Sequence, residues 1–474
     1  MNSRLPKRRV RSGWLNMEMD CNGRRVVMDV GGTLIAGPAM GPLNGTITVP
    51  GDKSMSHRSV MLASLADGVT EIRGFLPGDD NVATARMFID MGVDIEWLND
   101  EKTSLRVHGV GLHGLKQPAK MLDAGNSGTC VRLMTGILAG QPFESTMTGD
   151  ASLCKRPMKR VVDPVRRMGA TVSGPDGGNL LPITISGGRL KAIHHISEVA
   201  SAQVKSCVLL AGLYADGITR VNEPKPTRDH TERMLPLFGQ PVEAAADGTI
   251  SINPSDRLTA PSCVVDIPAD PSSACFFAVA ASLVEGSDVT LKSIGINPRR
   301  DGWRRVMNGM GVRLTLEHEG KVGEEPVADV RVRSGGLHGM RVDPDDVPDA
   351  IDEFPVLFAA AALADGEFLL EEAEELRVKE SDRISAMADA LRAAGADIEE
   401  RPDGAVIRGL NNLKGGAEVD ALGDHRIAMA MAVAAQRADG EITIRNAAAI
   451  ATSFPNFVPL AQSIGMNVRW QDEE

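Results

Sequence analysis

The sequence predicts an α/β protein of two similar lobes, each of three repeated βαβαββ-type units, with a cleft between them. Three observations carry this expectation. Six times an Ala/Leu-rich stretch opens on a polar cluster: Lys53 to Arg58, Asn126 to Thr129, Ser201 to Gln203, Ser272-Ser273, Asp352-Glu353 and Asp424 to Arg426. Each stretch closes near a glycine, at Gly68, Gly140, Gly217, Gly286, Gly366 and Gly440. A second glycine follows 22 to 29 residues later, at Gly92, Gly169, Gly239, Gly311, Gly395 and Gly465. Glycine enters the left-handed cap conformation without strain, so all of these read as helix C-caps. Six similar units mean one supersecondary module used six times.

Within a unit the order is strand, helix, strand, helix, then alternating strands. In the first unit 56–66 is expected to be a helix, 69–73 a strand, 81–91 the second helix, and 93–97 alternates. In the fifth, 356–364 and 383–394 are expected helices, with 368–371 and 396–400 extended. Helices alternating with strands argue for α/β architecture. Three units precede about Ile267 and three follow it. Pro268 and Pro271 mark one crossover and Pro50-Gly51 the other. The expected division is an irregular extension over 1–40, one lobe over 53–267, and a second over 41–52 with 268–474. The strand 46–49 is expected to pair with that second lobe. Two short connecting strands then form a hinge, and the cleft lies between the lobes.

The helix starts suggest what the cleft binds. A helix N-terminus carries about half a positive charge and presents free N–H groups, so it suits anions. Cations there are disfavoured by about 0.3–1 kcal/mol each. Yet the expected first turns hold Lys53, Arg58, Arg156, Arg228, Lys379 and Arg426. They read either as surface cations or, repeated across units, as a site for a polyanionic small molecule that neutralises them.

Composition narrows the class. At 474 residues the chain exceeds the usual single core, so two domains are expected. A formal net charge of −12 argues against a nucleic-acid-binding surface. Local cation clusters in an acidic chain instead suggest a focused pocket for anionic metabolites. The six cysteines show no C-x-x-C spacing, and four lie in or beside apolar or helical stretches. Reduced, packed thiols in a cytoplasmic protein are expected. The apolar runs 274–284 and 354–364 are about half the length that spans a bilayer, so they read as buried helices. Arg4, Lys7, Arg8, Arg9 and Arg11 precede any acid, and no apolar signal core follows them. A disordered extension or a later start codon is expected there rather than a transit segment.

The motifs carry the chemistry. Gly51-Asp52-Lys53-Ser54 lacks the G-x-x-x-x-G-K of a nucleotide phosphate loop. It offers a compact charge at Lys53, a hydroxyl at Ser54 and a planar fork at Arg58 for an oxyanion. His57 reads as a packing or capping residue. Gly125 to Thr129 is a tight turn whose free amides suit a carboxylate or phosphate, with Gly128 admitting a ligand near the backbone; a plain Ser or Thr N-cap is the alternative. Arg156 precedes a helix-starting Pro, and Arg228 stands at another helix start. Lys379 and Arg383 are expected to share a helical face, and Lys379 beside Glu380 is a candidate proton-transfer pair; a salt-bridged turn is the alternative. Asp352, ahead of an apolar helix, reads as an N-cap or as a base facing the cleft. Asp424 reads as a cap and Arg426 as an anion-binding group. No His, Cys and carboxylate set has metal spacing, so neither metal nor cofactor is expected. The residues alone describe a two-lobed enzyme closing on anionic substrates by proton-assisted chemistry.

The strings Pro50 to Arg58, Gly125 to Thr129, Lys155 to Met158, Ser201 to Ser206, Arg377 to Arg383 and Asp424 to Arg426 together resemble the EPSP synthase (3-phosphoshikimate 1-carboxyvinyltransferase) family, from about Pro42 to Val468. The resemblance implies transfer of the enolpyruvyl group of phosphoenolpyruvate to the 5-hydroxyl of shikimate 3-phosphate, with release of phosphate. It implies that Lys53, Ser54, Arg58, Ser201, Ala202, Gln203, Arg228, Asp352 and Lys379 hold shikimate 3-phosphate. Lys53, Asn126, Gly128, Arg156, Gln203, Arg383 and Arg426 would hold phosphoenolpyruvate. Asp352, Lys379 and Glu380 would be catalytic. Asp352 takes the hydroxyl proton; the other two orient that hydroxyl and manage the proton at the methylene carbon. The family implies no cofactor, small-molecule partners and a monomer in aromatic amino-acid biosynthesis.

Some positions depart from the family pattern. Ala202 replaces a Ser common in one subclass, Glu375 stands where an Asn often does, and Thr452 where a Lys often contacts phosphoenolpyruvate. Asn297-Pro298-Arg299-Arg300 breaks an Asn-x-Thr-Arg motif of another subclass. Two alternatives stand beside this reading. The sister transferase acting on UDP-N-acetylglucosamine expects an Asn where Ser54 stands and a Cys acid on a mobile loop. A non-catalytic anion-binding protein needs no Lys379-Glu380 pair beside Asp352.

Overall fold

A computed structural model describes residues 32–471, together with a short antiparallel pairing of Glu18–Met19 with Arg25–Val26. The Arg-rich stretch at 4–11 lies outside the described residues.

One strand plan recurs through six sheets, reduced in the fifth to three strands, Glu367–Leu370, Gly404–Arg408 and Asp397–Arg401, with an isolated parallel bridge from Arg341 to Leu369. In the second unit Glu144–Thr148 runs parallel to Leu122–Asp123 and antiparallel to Ile183–Ser186, which carries Thr171–Ser173 at the edge. The third repeats this with His194–Ile196, Thr219–Asn222, Ile250–Ile252 and Val242–Ala244. The fourth does so with Asn44–Ile47, Asp288–Gly295, Glu325–Arg333 and Arg313–Val322. The parallel strand of the fourth unit thus comes from before the first helix. That of the first unit, Val265–Asp266 beside Ala66–Arg73, comes from after the third unit. In the sixth, Leu34–Ala36 inserts between Ile442–Arg445 and Val468–Trp470. This strand falls in a stretch expected to be irregular. Three residues amid glycines and prolines give too short an alternation to read from sequence, although Leu34 and Ala36 are fully buried.

Six helix pairs alternate with these sheets. They are Lys53–Leu65 with Asp79–Asp90, Gly128–Ala139 with Lys159–Met168, Ala202–Gly212 with His230–Met234, Pro271–Leu283 with Gly302–Gly309, Phe354–Ala361 with Arg383–Ala393, and His425–Ala434 with Phe457–Ser463. The second glycine of every unit does adopt the left-handed conformation, with φ of 91° at Gly92, 112° at Gly169, 82° at Gly239, 86° at Gly311, 87° at Gly395 and 99° at Gly465. The first set divides. Gly68, Gly286 and Gly366 have positive φ, whereas Gly140 sits at −86° and Gly217 and Gly440 lie outside the left-handed region. Gly68 is within the strand Ala66–Arg73 rather than on a cap. The first helix passes straight into that strand, Ala66 being already extended, so no reversing residue is needed there.

Buried apolar side chains form two clusters. One runs from Met55 to Ile267, and the other takes Leu34 to Val49 with Ala269 to Val468. Pro271–Leu283 and Phe354–Ala361 are buried at every residue, as helices apolar all round must be. The chain crosses between the clusters at two adjacent segments. Asp52 N–H donates to the Pro268 carbonyl at 2.8 Å and Asp270 N–H to that of Pro50 at 2.9 Å. Side chains have no room there: a Cβ on Gly51 would lie 1.7 Å from the Gly74 carbonyl oxygen.

Candidate active site

On the 53–267 side, three helix starts and one loop supply the polar groups. Asp52 caps the Lys53–Leu65 helix by accepting from Met55 N–H at 2.8 Å, so Lys53 is its first residue. Lys53 Nζ pairs with Asp80 at 2.5 Å. Ser54 follows, and its carbonyl accepts from Arg58 at 3.0 Å. Arg58 is buried, and donates also to Thr231 and Ser206, both at 2.7 Å. It ties the first helix to Thr231 and Ser206 of the third unit and does not join the ion pairs below. Ser127 caps the helix that begins at Gly128. Asn126 accepts from Arg156 at 2.7 Å and donates to Asp150 at 2.6 Å. Ser201 caps the helix that begins at Ala202, while Gln203 accepts from Arg132 at 2.7 Å and donates to Thr129 at 3.0 Å.

The opposite side supplies carboxylates and more cations. Asp352 lies in the turn ahead of Phe354–Ala361, whose N-cap position is held by Glu353, so Asp352 is not the cap. Lys379 and Arg383 do not share a helix: the 3₁₀ turn Glu374–Val378 ends before Lys379, and Asp382 caps a new helix at Arg383. The break still brings both to Asp352, at 3.7 and 3.2 Å. Glu380 pairs with Arg383 at 2.5 Å. Asp424, the cap of His425–Ala434, holds Arg383 at 2.8 Å, and Arg426 donates to the Asp352 carbonyl at 2.7 Å.

The two sides meet directly. Arg228 reaches Asp352 at 2.6 Å and Arg156 reaches Glu380 at 3.3 Å. Arg160 with Glu375 at 2.6 Å and Lys225 with Glu372 at 2.9 Å add two outer pairs. The expectation that only an incoming anion neutralises these cations is corrected here. The chain's own carboxylates, far off in sequence, already face them.

Burial and charge oppose each other at the acids. Burial raises the Asp352 carboxyl, but Arg228, Lys379, Arg426 and Arg383 together hold it well below the usual carboxylate range. Burial likewise raises Glu380, and Arg383, Arg156, His425 and Lys53 bring it well below that range. His57 bonds Thr84 at 2.7 Å; burial, with Lys53 and Arg58 nearby, keeps it neutral, as the packing reading expects. Cys130, Cys207 and Cys275 are buried free thiols, and burial pushes Cys130 up to about 12.

Sequence reasoning missed Arg132 and Asp80. Arg132 lies one turn after Gly128 and bonds Gln203. The signal was the i, i+4 spacing from a glycine whose missing Cβ leaves room, since a Cβ there would lie 2.9 Å from Arg132 Nη1 and 3.4 Å from Arg156 Nη1. Cross-strand pairing also gathers Asp94, Glu96 and His108 on an exposed hairpin, a grouping that linear spacing hides; none of the three joins these ion pairs.

The match to a family model decides the family. The model described as EPSP synthase (3-phosphoshikimate 1-carboxyvinyltransferase) matches residues 38–460. The chain belongs to the EPSP synthase family. A 3-phosphoshikimate 1-carboxyvinyltransferase of Methylococcus capsulatus is 55% identical over 435 residues, covering 91% of this chain and 97% of the relative. One from Hydrogenovibrio crunogenus is 52% identical, covering 90% and 96%. The solved EPSP synthase of Acinetobacter baumannii superposes with a TM-score of 0.82 at 46% identity, covering 93% of this chain and all of that one. An enolpyruvyl transferase of Streptomyces tendae, 16% identical, shares the fold with a TM-score of 0.75 over 94% of this chain and all of that one. The protein is therefore an enzyme, a transferase of the shikimate pathway, and the EPSP synthase reading stands over the sister-transferase and non-catalytic alternatives. Among the described residues no helix is long and apolar enough to cross a membrane.

Proposed function

We propose that the ion-pair network around Asp352 is the catalytic centre, where the enolpyruvyl group of phosphoenolpyruvate passes to the 5-hydroxyl of shikimate 3-phosphate. The observation that carries this reading is one half-buried carboxylate facing Arg228, Lys379 and Arg383 from both sides of the cleft, with Arg426 on its own carbonyl. Lys53, Ser54, Arg58, Ser201, Ala202, Gln203, Arg228, Asp352 and Lys379 form the shikimate 3-phosphate side. Lys53, Asn126, Gly128, Arg156, Gln203, Arg383 and Arg426 form the phosphoenolpyruvate side. The lobes are 53–267 and 41–52 with 268–474, and the protein is a cytoplasmic monomer.

The pairing suggests how Asp352 is switched on. With four cations against it, Asp352 is a weak base. Each substrate brings a phosphate and a carboxylate. As these anions take over Arg228, Arg383 and Arg426, fewer charges depress Asp352, and its affinity for the 5-hydroxyl proton rises. Lys379 beside it orients the hydroxyl. Bond formation at C2 of phosphoenolpyruvate requires a proton at the methylene C3, and loss of phosphate returns it. Glu380 is held ionised between Arg383 and Arg156; as the anions of phosphoenolpyruvate draw those two cations off, it takes up a proton, gives it to C3 and recovers it when phosphate leaves.

The experiment is phosphate release from phosphoenolpyruvate. Release is expected only when shikimate 3-phosphate is present. Release without it, or release that follows UDP-N-acetylglucosamine instead, overturns the assignment.

A further inference from the structure

The two crossover segments bury a charge cluster to which no role has been given so far. Asp52 and Asp270 face each other there, 2% and 4% exposed, and Arg300 lies between them at 2%. Arg300 Nη1 is 3.4 Å from Asp52 Oδ2, and Nη2 is 3.1 Å from Asp270 Oδ1 and donates to Ser272 Oγ at 2.7 Å. Each acid in turn holds a helix start. Asp52 accepts from Met55 N–H. Asp270 accepts from Lys53 N–H at 3.0 Å and from Ser272 N–H at 2.7 Å, so one carboxylate caps helices that lead into both hydrophobic clusters. Ser272 passes its proton side to Glu353, which lies 3.8 Å from Arg426.

A single guanidinium therefore stands between the backbone of Lys53 and the side chain of Arg426. We propose that Arg300 is a positioning residue for the transferase reaction: it pins the two crossover segments together and sets Lys53 against Arg426 across the phosphoenolpyruvate site. The physical reason is charge. Two carboxylates buried side by side repel strongly unless a cation lies between them. Asp270 shows this: burial and then the Asp52 charge raise its carboxyl, against Arg300. Without Arg300 the acids separate or one takes a proton, and either change shifts the start of the Lys53–Leu65 helix. His230 Nε2 stays 4.0 Å from Asp52, beyond hydrogen-bond reach, and its Nδ1 is held by Glu325 at 2.9 Å, so it does not bridge Asp52 to Asp270 as Arg300 does. Arg300 itself touches no proposed substrate position. The proposal rests on Lys53 and Arg426 being phosphoenolpyruvate ligands.

The test is steady-state kinetics on Arg300→Gln and on Asp52→Asn/Arg300→Gln. Arg300→Gln is expected to raise KM for phosphoenolpyruvate about tenfold or more with a smaller change in kcat, because displacements of about 1 Å carry effects of that size. The double variant removes one of the two like charges, and its Asn amide can donate to Asp270. Its KM is expected within about threefold of the wild type. A purely structural role lowers the folded fraction, hence kcat, and leaves KM in place. Wild-type KM in Arg300→Gln, or no recovery in the folded double variant, overturns the proposal. If Arg300→Gln fails to fold, the double variant alone decides by its KM. Lys53→Met measured alongside separates the two readings: full turnover there overturns the site assignment, whatever Arg300 does.

Discussion

Lys53 and Arg156 show what single residues contribute and where sequence reasoning misjudged them. From helix-start repulsion alone, replacing either is expected to leave stability untouched. The structure gives each a carboxylate, Asp80 and Glu380. Arg156→Ala is therefore expected to abolish turnover and also cost about 1–2 kcal/mol of stability, since a buried charge-assisted pair is lost. Lys53→Met should abolish turnover too. Turnover assays with thermal melts check both, and near-wild-type activity in either would remove that residue from the site. Gly128 behaves differently. An added methyl presses on the ends of Arg132 and Arg156. Those ends are flexible, so Gly128→Ala should fold normally while KM for phosphoenolpyruvate rises a few-fold, about 1 kcal/mol of crowding. An inhibitor longer than phosphoenolpyruvate should lose more than the substrate does; equal changes in the two constants would show that position 128 does not face the ligand.

Among the elements, two glycines of the third unit separate conformation from space. Gly239 has φ 82° with open space where a Cβ would go, whereas Gly217 lies outside the left-handed region with Ala192 at an ordinary 3.4 Å. Gly239→Ala should cost about 1–2 kcal/mol, the left-handed penalty alone. Gly217→Ala should be neutral or stabilise by about 0.4–1 kcal/mol through the unfolded chain. Chemical denaturation measures both, and equal effects would mean that neither glycine is kept for its backbone. These same glycines show what sequence makes legible. Period, polar openings and second-helix caps are local signals, and they marked out the six helix pairs and made Asp352, Lys379, Glu380 and Arg383 candidates, although Asp352 is no cap and Lys379 and Arg383 share no helix. The pairing of the strand before the first helix with the second lobe was legible from Pro50-Gly51, and Asn44–Ile47 does lie beside Asp288–Gly295. The strand Leu34–Ala36 and the return of Val265–Asp266 to the first unit depend on partners about 200 to 400 residues away, which no local pattern encodes. Cation partners were hidden for the same reason: Arg228 and Asp352, or Arg156 and Glu380, meet only when the chain is folded.

At the scale of the whole molecule, the buried acids set the response to pH. Asp52, Asp352, Glu380 and Asp424 are held below their ordinary values by cations despite burial. Their stabilisation is present above the unfolded carboxyl values of about 4 and is lost as pH falls through the lower folded values. Asp80, Asp270 and Asp349 are raised, chiefly by burial, so their contribution runs the other way and is lost as pH rises through their folded values. Asp352 and Glu380, the two held well below the carboxylate range, set the acid side. Tm should change little between pH 7 and 5 and fall steeply below about pH 4; a Tm maintained to pH 3 would show that the pairs contribute nothing. The Leu34–Ala36 strand carries a consequence of another kind. Its partners Ile442–Arg445 lie about 400 residues further along the chain. A ribosome adding about 5–20 residues per second leaves that strand waiting for roughly 20 to 80 seconds. Throughout, its backbone donors and acceptors are open to any passing strand, and for the last part of the wait the Met55 to Ile267 core is already complete and free to fold. Newly made protein is therefore exposed to misassembly at Leu34–Ala36, and chaperone capture during synthesis should concentrate there.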